Sequence, residues 1–400
     1  MTYPETCRGF FFYFQREAII FVYQTMNHST MDRRRFLKDS TRALAAGTIL
    51  SGSGAEALAR KKNAEESTPP YPSPRKGSGI ARDFRYRDDG SFKVLQLTDT
   101  HVIFGDPRSE RAYENVNKML DLEKPDLVIH TGDIIFGRPA EEGLRKVLGI
   151  IAAHQIPFAV ALGNHDSESG LTRTEVLDVI RTIPYNINTP ADKGISKASN
   201  DVITLSGADG VDRVFYLFDS GRKIEVKDGG YDNVRADQIE WYDSYSKEFT
   251  ANNGGKPVHS LAFFHIPPAE FDYALRLPGK EGWNFIGHMG EQIGCSKLNS
   301  GLFQAMKLNG DIQAIVCGHE HNNDFVLQYM DVMLIYGRFS GCDTVYNDLK
   351  PNGARVFEFT RGQRGFTTWV RLNSGEIENK VFLDPPMTPN FRSHIEQKES

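Results

Sequence analysis

Residues of metal-binding type stand at five places in this chain, each directly after an apolar segment. They are Asp99-Thr100-His101, Gly132-Asp133, Gly163-Asn164-His165-Asp166, His265, and Gly318-His319-Glu320-His321. Carboxylate, amide and imidazole groups are ligands for divalent and trivalent metal ions in proteins. The pattern indicates one shared metal site rather than five unrelated polar clusters.

The apolar segments in front of these clusters have the composition of buried strands. They cover residues 94–97, 127–129, 158–162, 261–264 and 312–316. In open α/β sheets, ligands collect at the carboxyl ends of strands. We therefore expect the five clusters to meet at such an edge, with the glycines forming tight turns there.

Two metal ions held close together need a ligand that can contact both, and Asp133 is the natural candidate. We assign the first ion to Asp99, His101 and His321 and the second to Asn164, His265 and His319, with Asp133 shared. Each ion keeps open positions for water and a substrate oxygen. Iron, manganese, zinc and similar ions all fit this donor set.

Such a pair of ions suits phosphoester hydrolysis. Metal coordination lowers the pKa of water by several units, so a hydroxide shared by the two ions can attack phosphorus. The ions also neutralise charge on the phosphoryl oxygens. His165 follows a predicted ligand and is placed to protonate the leaving oxygen, with Asp166 orienting it. Binding of the phosphate is the alternative role for His165.

The surrounding elements predict an α/β protein. Helices are expected over 109–122, 140–154 and 172–183, between the first three strands. This alternation is typical of βαβ units and a largely parallel sheet. The second half predicts mainly strands, over 214–219, 260–264, 312–316, 332–336, 354–359 and 366–372. Two packed sheets flanked by helices fit this order better than one open sheet.

One long segment, residues 266–300, is rich in glycine, proline and aromatic residues and directly follows the predicted ligand His265. Loops of this length in compact domains are often lids or binding walls. We expect it to form a wall of the site.

The composition argues against two classes of partner. The formal net charge of -5 gives no electrostatic reason to expect nucleic acid, which usually needs a basic face. The apolar segment over residues 10–23 is too short for a membrane span and is interrupted by Gln15, Arg16 and Glu17. We expect neither nucleic acid binding nor a stable membrane span.

An export signal is predicted near the amino terminus. Arg33-Arg34-Arg35-Phe36-Leu37-Lys38 is followed by a weakly apolar stretch and by Ala57-Leu58-Ala59, the order of a twin-arginine signal peptide with its cleavage site. We expect the bacterial twin-arginine machinery as a partner and the periplasm or the exterior as the location.

The domain boundaries follow from that signal. Residues 1–30 are expected to precede the true start, residues 31–59 to form the signal and residues 60–81 a flexible linker, since the linker is poor in apolar residues. One folded domain covers 82–385 and a tail covers 386–400. In the folded domain, Cys317 is expected to be a buried small residue, and a disulfide between Cys295 and Cys342 is left open.

Taken in order, the motifs resemble the calcineurin-like metallophosphoesterase family, whose pattern is D-x-H, G-D, G-N-H-[DE], a lone histidine after a strand, and G-H-x-H. The resemblance covers residues 93–371 and implies a four-layer α/β/β/α sandwich with two mixed sheets.

Within that family, the segment from Cys295 through Asn299-Ser300-Gly301, together with the segment 318–324, looks like the branch related to purple acid phosphatases. The coloured enzymes have D-x-G in the first motif and a tyrosine three residues after the bridging aspartate. This chain has His101 and Phe136 at those positions. An iron-tyrosinate pair is therefore not expected here.

The sequence thus predicts an exported, binuclear metal-dependent phosphoesterase. Phosphomonoesters are the expected substrates, either small organic phosphates or phosphorylated protein. One alternative is a phosphodiesterase acting on small diesters or cyclic nucleotides. Another is a non-catalytic phosphate-binding relative, although the complete ligand set together with His165 argues against it.

Overall fold

The structure of the protein is a computed structural model, and it describes residues 82–224, 230–277 and 285–385. The predicted upstream residues, export signal, linker and tail lie outside the described residues. In the described ranges, no helix combines the length and apolar character needed to cross a bilayer.

The described residues form fourteen strands and six α-helices. The strands are β1 (Asp83–Arg85), β2 (Ser91–Leu97), β3 (Leu127–His130), β4 (Phe158–Val160), β5 (Asp201–Ser206), β6 (Val211–Leu217), β7 (His259–Phe263), β8 (Phe285–Ile286), β9 (Ile312–Cys317), β10 (Val326–Tyr329), β11 (Val332–Tyr336), β12 (Gly353–Thr360), β13 (Phe366–Leu372) and β14 (Ile377–Leu383). The helices are α1 (Glu110–Glu123), α2 (Ala140–Ala153), α3 (Arg173–Arg181), α4 (Ala236–Asn252), α5 (Glu270–Arg276) and α6 (Leu302–Asn309).

The strands form two mixed sheets. The six-stranded sheet has the order β14-β13-β12-β2-β3-β4, with β2, β3 and β4 parallel and β12 antiparallel to β2. The eight-stranded sheet has the order β1-β5-β6-β7-β9-β11-β10-β8, with β6, β7, β9 and β11 parallel to their neighbours in that run. The predicted parallel βαβ units of the first half are therefore present.

The two sheets pack face to face between two layers of helices. Successive side chains of a strand point to opposite faces. On β2, Val94 accordingly joins the core between the sheets, while Leu95 joins the core under α1 and α2. On β9, Val316 lies between the sheets and Ile315 faces the core under α4 and α6. This four-layer α/β/β/α arrangement confirms the predicted fold class.

Two local features bear on the site. Helix α3 starts with a capping box, in which Thr172 accepts from the backbone of Glu175 and the Glu175 side chain accepts from the backbone of Thr172. This cap fixes the helix that follows the Asn164 turn. The segment predicted as one long loop, residues 266–300, contains α5 and β8, so part of it is regular structure.

Candidate metal centre

The turns that carry the predicted ligands all follow strands whose ends lie at the same edge of the sandwich. Asp99, His101, Asp133 and His319 have positive φ angles of 54°, 47°, 52° and 84°. Residues other than glycine rarely adopt this conformation, and such outliers cluster at functional sites. The sharp turns aim these side chains inward instead of letting the strands continue.

Glycine is required where two of these turns touch. A Cβ atom on Gly132 would lie 2.2 Å from the backbone nitrogen of Gly163, and a Cβ on Gly163 would lie 2.2 Å from Asp133 Oδ1. No side chain fits at those separations. The close approach brings the Asp133 turn against the Asn164 turn.

Asp99, His101 and His321 form the first group of side chains. The Nε2 atoms of His101 and His321 are 3.1 Å apart, and Asp99 Oδ1 lies 3.7 Å from each of them. All three side chains are buried. The structure therefore brings together the three residues assigned to the first ion.

A second group surrounds His265. Its Nε2 atom lies 3.1 Å from His319 Nδ1, 3.1 Å from Asp133 Oδ2 and 3.0 Å from Asn164 Oδ1. His265 Nδ1 donates to the backbone carbonyl of Thr131 at 2.8 Å, which leaves Nε2 to face the group. These are the residues assigned to the second ion.

Asp133 stands between the two groups. Its Oδ2 atom is 3.1 Å from His265 Nε2 and 3.6 Å from His101 Nε2. A single carboxylate oxygen thus faces both clusters of imidazoles. This is the placement that a ligand shared by two ions requires.

The chemistry of the groups fits metal ions. Asp99 Oδ1 is buried and has no hydrogen-bond partner, although it faces His101 and His321. An unpaired buried carboxylate oxygen is unfavourable unless a cation or donor satisfies it. Imidazole nitrogens that face one another at 3.1 Å are likewise arranged to donate electron pairs to a common centre. The ligand roles themselves stay a prediction.

Burial sets the protonation of the histidines. Desolvation lowers the pKa of His319 to about 3 and that of His321 to about 4, so both are neutral at pH 7, the form that binds metals. Burial also opposes charge on His265, but Asp133 outweighs it and raises the pKa of His265 to about 9. Coordination of a metal ion by His265 Nε2 would therefore require this ring to lose a proton.

The side chain of His165 lies at the mouth of the centre. Its ring is 5.5 Å from the His101 ring and 5.0 Å from the Phe136 ring, and the side chain is one-third exposed. Its Nδ1 atom is 2.5 Å from Glu168 Oε2. The partner that orients His165 is therefore Glu168, three residues further along the chain.

The expected role of Asp166 in orienting His165 is wrong. The buried Asp166 carboxylate instead accepts from the backbone N–H groups of Gly163, Asp133 and Ile134, at 2.8, 3.1 and 2.7 Å. It holds the Asp133 turn against the Asn164 turn. A carboxylate bonded to several backbone N–H groups is a structural brace, and motif order alone could not distinguish it from Glu168.

Two further supports were not predicted. Arg173 donates to the backbone carbonyls of Gly163 and Leu162, at 2.7 and 3.0 Å, and forms an ion pair with Asp219. His130 Nδ1 accepts from the backbone of Gly132 at 3.1 Å, and burial lowers the pKa of His130 to about 3. In the sequence, Arg173 is visible only as a basic residue in the first turn of a predicted helix, which does not reveal that it binds the Asn164 turn.

In the described residues, no cysteine belongs to either group of candidate ligands. Cys295, Cys317 and Cys342 are all free, so the structure contains no disulfide between Cys295 and Cys342. Cys317 is fully buried at the end of β9, as predicted.

Comparisons with known proteins agree with this geometry. A family model described as Calcineurin-like phosphoesterase matches residues 92–323. The Arabidopsis thaliana protein named "Probable inactive purple acid phosphatase 28" is 30% identical over 320 residues, which are 71% of this chain and 79% of that protein. Phosphatase DCR2 of Saccharomyces cerevisiae is 29% identical over 338 residues, covering 74% of this chain and 56% of that protein.

A solved structure has the same fold. The crystal structure of a dimetal phosphatase from Danio rerio superposes with a TM-score of 0.52 at 12% identity, covering 74% of this chain and 99% of the other. At that identity the likeness concerns the fold alone. The family model, which spans more than half of the chain, and the relatives named as purple acid phosphatases lead to one conclusion: the chain belongs to the calcineurin-like phosphoesterase family.

Proposed function

We propose that the protein is a binuclear metal-dependent phosphoesterase that hydrolyses phosphomonoesters, either small molecules or phosphorylated protein. The observation that carries the proposal is the position of Asp133 Oδ2, which faces His265 at 3.1 Å and His101 at 3.6 Å. A carboxylate oxygen between two imidazole clusters can contact two adjacent cations at once.

Two ions at such a centre supply an activated water and neutralise charge on the phosphoryl group. The chain supplies the acid. The Glu168 carboxylate accepts from His165 Nδ1, which leaves Nε2 to face the leaving oxygen. In the imidazolium form of the ring, which a facing carboxylate favours, Nε2 also carries a proton and can donate it. The His165 side chain is one-third exposed, so a substrate in solution can reach it.

Some relatives are named as inactive, so catalysis needs its own support in this chain. That support is the complete set of side chains. Both groups of candidate ligands are assembled, and His165 stands beside them with an orienting carboxylate. A non-catalytic relative has no need to keep all of these.

The test is hydrolysis by protein loaded separately with iron, manganese and zinc. We expect 4-nitrophenyl phosphate to be hydrolysed faster than bis(4-nitrophenyl) phosphate. Asp133→Asn should lower hydrolysis by more than about 100-fold, because losing even an outer-sphere partner of a metal often costs 10- to 100-fold. Elemental analysis should show reduced metal content for Asp133→Asn. Asp88→Asn, an exposed residue on the far surface, is the matched control.

Each contrary result has a definite meaning. Faster hydrolysis of the diester would favour the phosphodiesterase alternative. Failure to hydrolyse either ester with any of the three metals would favour a phosphate-binding protein. Full activity in Asp133→Asn would overturn the assignment of the centre.

We also propose export through the twin-arginine route, which the Arg33-Arg34 pair and the Ala57-Leu58-Ala59 end support. A fusion of residues 31–65 to a reporter that folds in the cytoplasm should reach the periplasm of a bacterium. Changing Arg33 and Arg34 together to lysine should retain the reporter inside. Export of the doubly changed fusion, or failure of the unchanged one, would contradict the proposal.

A further inference from the structure

Two partly exposed aromatic rings stand against the histidines of the first group. The Phe136 ring lies 5.4 Å from the His101 ring and 5.0 Å from the His165 ring. The Tyr346 ring stacks on His321 with centroids 4.4 Å apart and an interplanar angle of 26°. Phe136 is 38% exposed and Tyr346 is 55% exposed. Large aromatic surface left open beside a reactive centre is typical of a ligand-binding surface.

The hydrogen bonds that hold His321 and the backbone of His101 do not involve the aromatic side chains. His321 Nδ1 donates to the backbone carbonyl of Tyr346 at 2.7 Å, and this contact does not involve the Tyr346 side chain. The backbone N–H of His101 donates to the carbonyl of Asp133 at 3.0 Å. The two aromatic side chains are therefore available to recognise substrate.

Acidic side chains border the same mouth. Glu291 accepts from the Tyr346 hydroxyl at 2.8 Å and from the backbone of Asn322 at 2.7 Å, and both donors are neutral. Glu168 lies against His165. Glu168 and Glu291 thus place negative charge beside His165 and beside Tyr346.

We propose that Phe136 and Tyr346 form a subsite for an aromatic leaving group and that Glu168 and Glu291 disfavour additional negative charge on it. The inference rests on the proposed function and names its substrate class: aryl or arylmethyl phosphomonoesters with no further anionic group. Aromatic rings gain from stacked and edge-to-face contacts beyond their simple burial. Like charges held close together repel, and desolvation strengthens the repulsion.

The first experiment isolates aromaticity. Benzyl phosphate and cyclohexylmethyl phosphate have the same charge and nearly the same shape, and both release a primary alcohol. We expect metal-loaded wild-type protein to have the higher kcat/KM for benzyl phosphate. Phe136→Leu and Tyr346→Leu should each lower the benzyl-to-cyclohexylmethyl ratio by about three- to tenfold, the range of an aromatic pair.

Three controls separate recognition from structure. Tyr346→Phe keeps the ring and should keep the ratio. Phe382→Leu removes an equally exposed ring from the edge strand β14, away from the centre, and should leave both rates unchanged. A purely structural role for Phe136 or Tyr346 would lower both rates together and leave their ratio intact, and that result overturns the inference.

The second experiment isolates charge. The ratio of kcat/KM for phenyl phosphate to that for 4-carboxyphenyl phosphate should fall by about fivefold in Glu291→Gln, as expected for one charge pair near a surface. Glutamine Oε1 still accepts from the backbone of Asn322, and its Nε2 can donate to the Tyr346 hydroxyl oxygen, so both contacts can be kept with one direction reversed. Glu376→Gln, in the exposed turn before β14, should leave the ratio unchanged.

The outcomes distinguish the two proposals. If wild-type protein hydrolyses none of the four esters with any metal, the proposed function fails and this inference fails with it. If wild-type protein hydrolyses them but the ratios are the same in Phe136→Leu, Tyr346→Leu and Glu291→Gln, the proposed function stands and the subsite does not exist.

Discussion

Each candidate bridging or terminal carboxylate has one oxygen held by the protein and one left toward the metal groups. Asp133 Oδ1 accepts from the backbone of His165 at 2.8 Å, which leaves Oδ2 for the two imidazole clusters. Asp99 Oδ2 accepts from the backbone of His319 at 3.0 Å and from Thr98 at 2.6 Å, which leaves Oδ1. The backbone thereby fixes which atom of each residue can act as a ligand.

The leaving-group acid can be tested at the level of one residue. We expect His165→Ala to lower kcat for benzyl phosphate by about 100-fold or more, since general acid catalysis contributes roughly 10²- to 10⁴-fold. The loss for 4-nitrophenyl phosphate should be much smaller, because nitrophenolate departs without a proton. Steady-state kinetics on the two esters measure the difference.

Glu168→Gln is the companion variant. It removes the charge that faces His165 Nδ1 while keeping an acceptor, so its loss should be smaller than that of His165→Ala and follow the same order of substrates. Equal losses on both esters in His165→Ala would show that His165 binds phosphate instead of protonating the leaving oxygen.

Colour provides a second test at this scale. Phe136 has no phenolic oxygen, so iron-loaded protein should lack the visible charge-transfer band of a tyrosinate ligand. Absorption spectroscopy of the iron-loaded wild type and of Tyr231→Phe should give the same featureless visible region. A purple wild-type preparation would refute the expectation, and loss of the colour in Tyr231→Phe would identify Tyr231 as the ligand.

At the scale of elements, the site depends on how turns are joined to one another. The Asn164 turn is held from two sides. Asp166 accepts from backbone N–H groups of both this turn and the Asp133 turn. Arg173, at the start of α3, donates to the backbone carbonyls of Gly163 and Leu162. Asp219, just after β6, completes the ion pair with Arg173. The start of α3 and the end of β6, which belongs to the eight-stranded sheet, thus stabilise the same turn.

This connection predicts a large effect of a change in α3. Arg173→Met should lower the free energy of unfolding by about 3–5 kcal/mol, because it leaves the fully buried Asp219 carboxylate without the guanidinium that pairs with it. Arg145→Met, which breaks the exposed pair with Glu141 on α2, should change it by less than about 1 kcal/mol. Urea denaturation measures both, and similar values for the two variants would contradict the assignment.

At the scale of the whole molecule, the helix layers bury titratable groups far from the centre. Asp311, at the start of β9, is buried beneath α4 and accepts from the hydroxyl of Tyr242 at 2.5 Å. Burial raises the pKa of Asp311 from its ordinary 3.8 to about 6. The packing of α4 on the eight-stranded sheet therefore favours the protonated carboxyl.

The sign of the resulting pH dependence follows from proton counts. Between the ordinary pKa of 3.8 and the folded pKa of about 6, the folded protein keeps a proton that the unfolded chain has lost. Stability from this group therefore falls as pH rises through that window, by about 3 kcal/mol at roughly 1.4 kcal/mol per unit.

The measurement compares denaturation of wild type and Asp311→Asn from pH 4 to 7. Their difference in unfolding free energy should change across the window, with Asn gaining relative to Asp as pH rises. Asp88→Asn, an exposed aspartate, should show no such trend. A pH-independent difference for Asp311→Asn would contradict the raised pKa.

The sequence alone was sufficient for the strands that carry ligands and for the family. Residues 332–336 and 366–372 coincide with β11 and β13, and the predicted ligand-bearing strands agree with β2, β3, β4, β7 and β9 to within a few residues. These strands are buried on both faces, so their apolar runs are visible in the sequence. Ligand types at the strand ends are likewise local, and they predicted which side chains the structure brings together.

Other features were decided only by tertiary structure. Helix α4 was not predicted, because its buried contacts come from spaced aromatic residues such as Trp241, Tyr242 and Phe249 in an otherwise polar segment. The short edge strands β1 and β8 gain their hydrogen bonds from partners more than 30 residues away. Local propensity carries no information about such partners.

The same reason explains the errors at the site. Which carboxylate reaches His165, whether Asp166 binds a side chain or the backbone, and which rings border the mouth all depend on how separate turns meet in space. Residue types and their order determined the donors and the strands that carry them. Only packing between the two sheets and their helices decided the distances between those donors, because contacts across turns are set by the fold and not by neighbours along the chain.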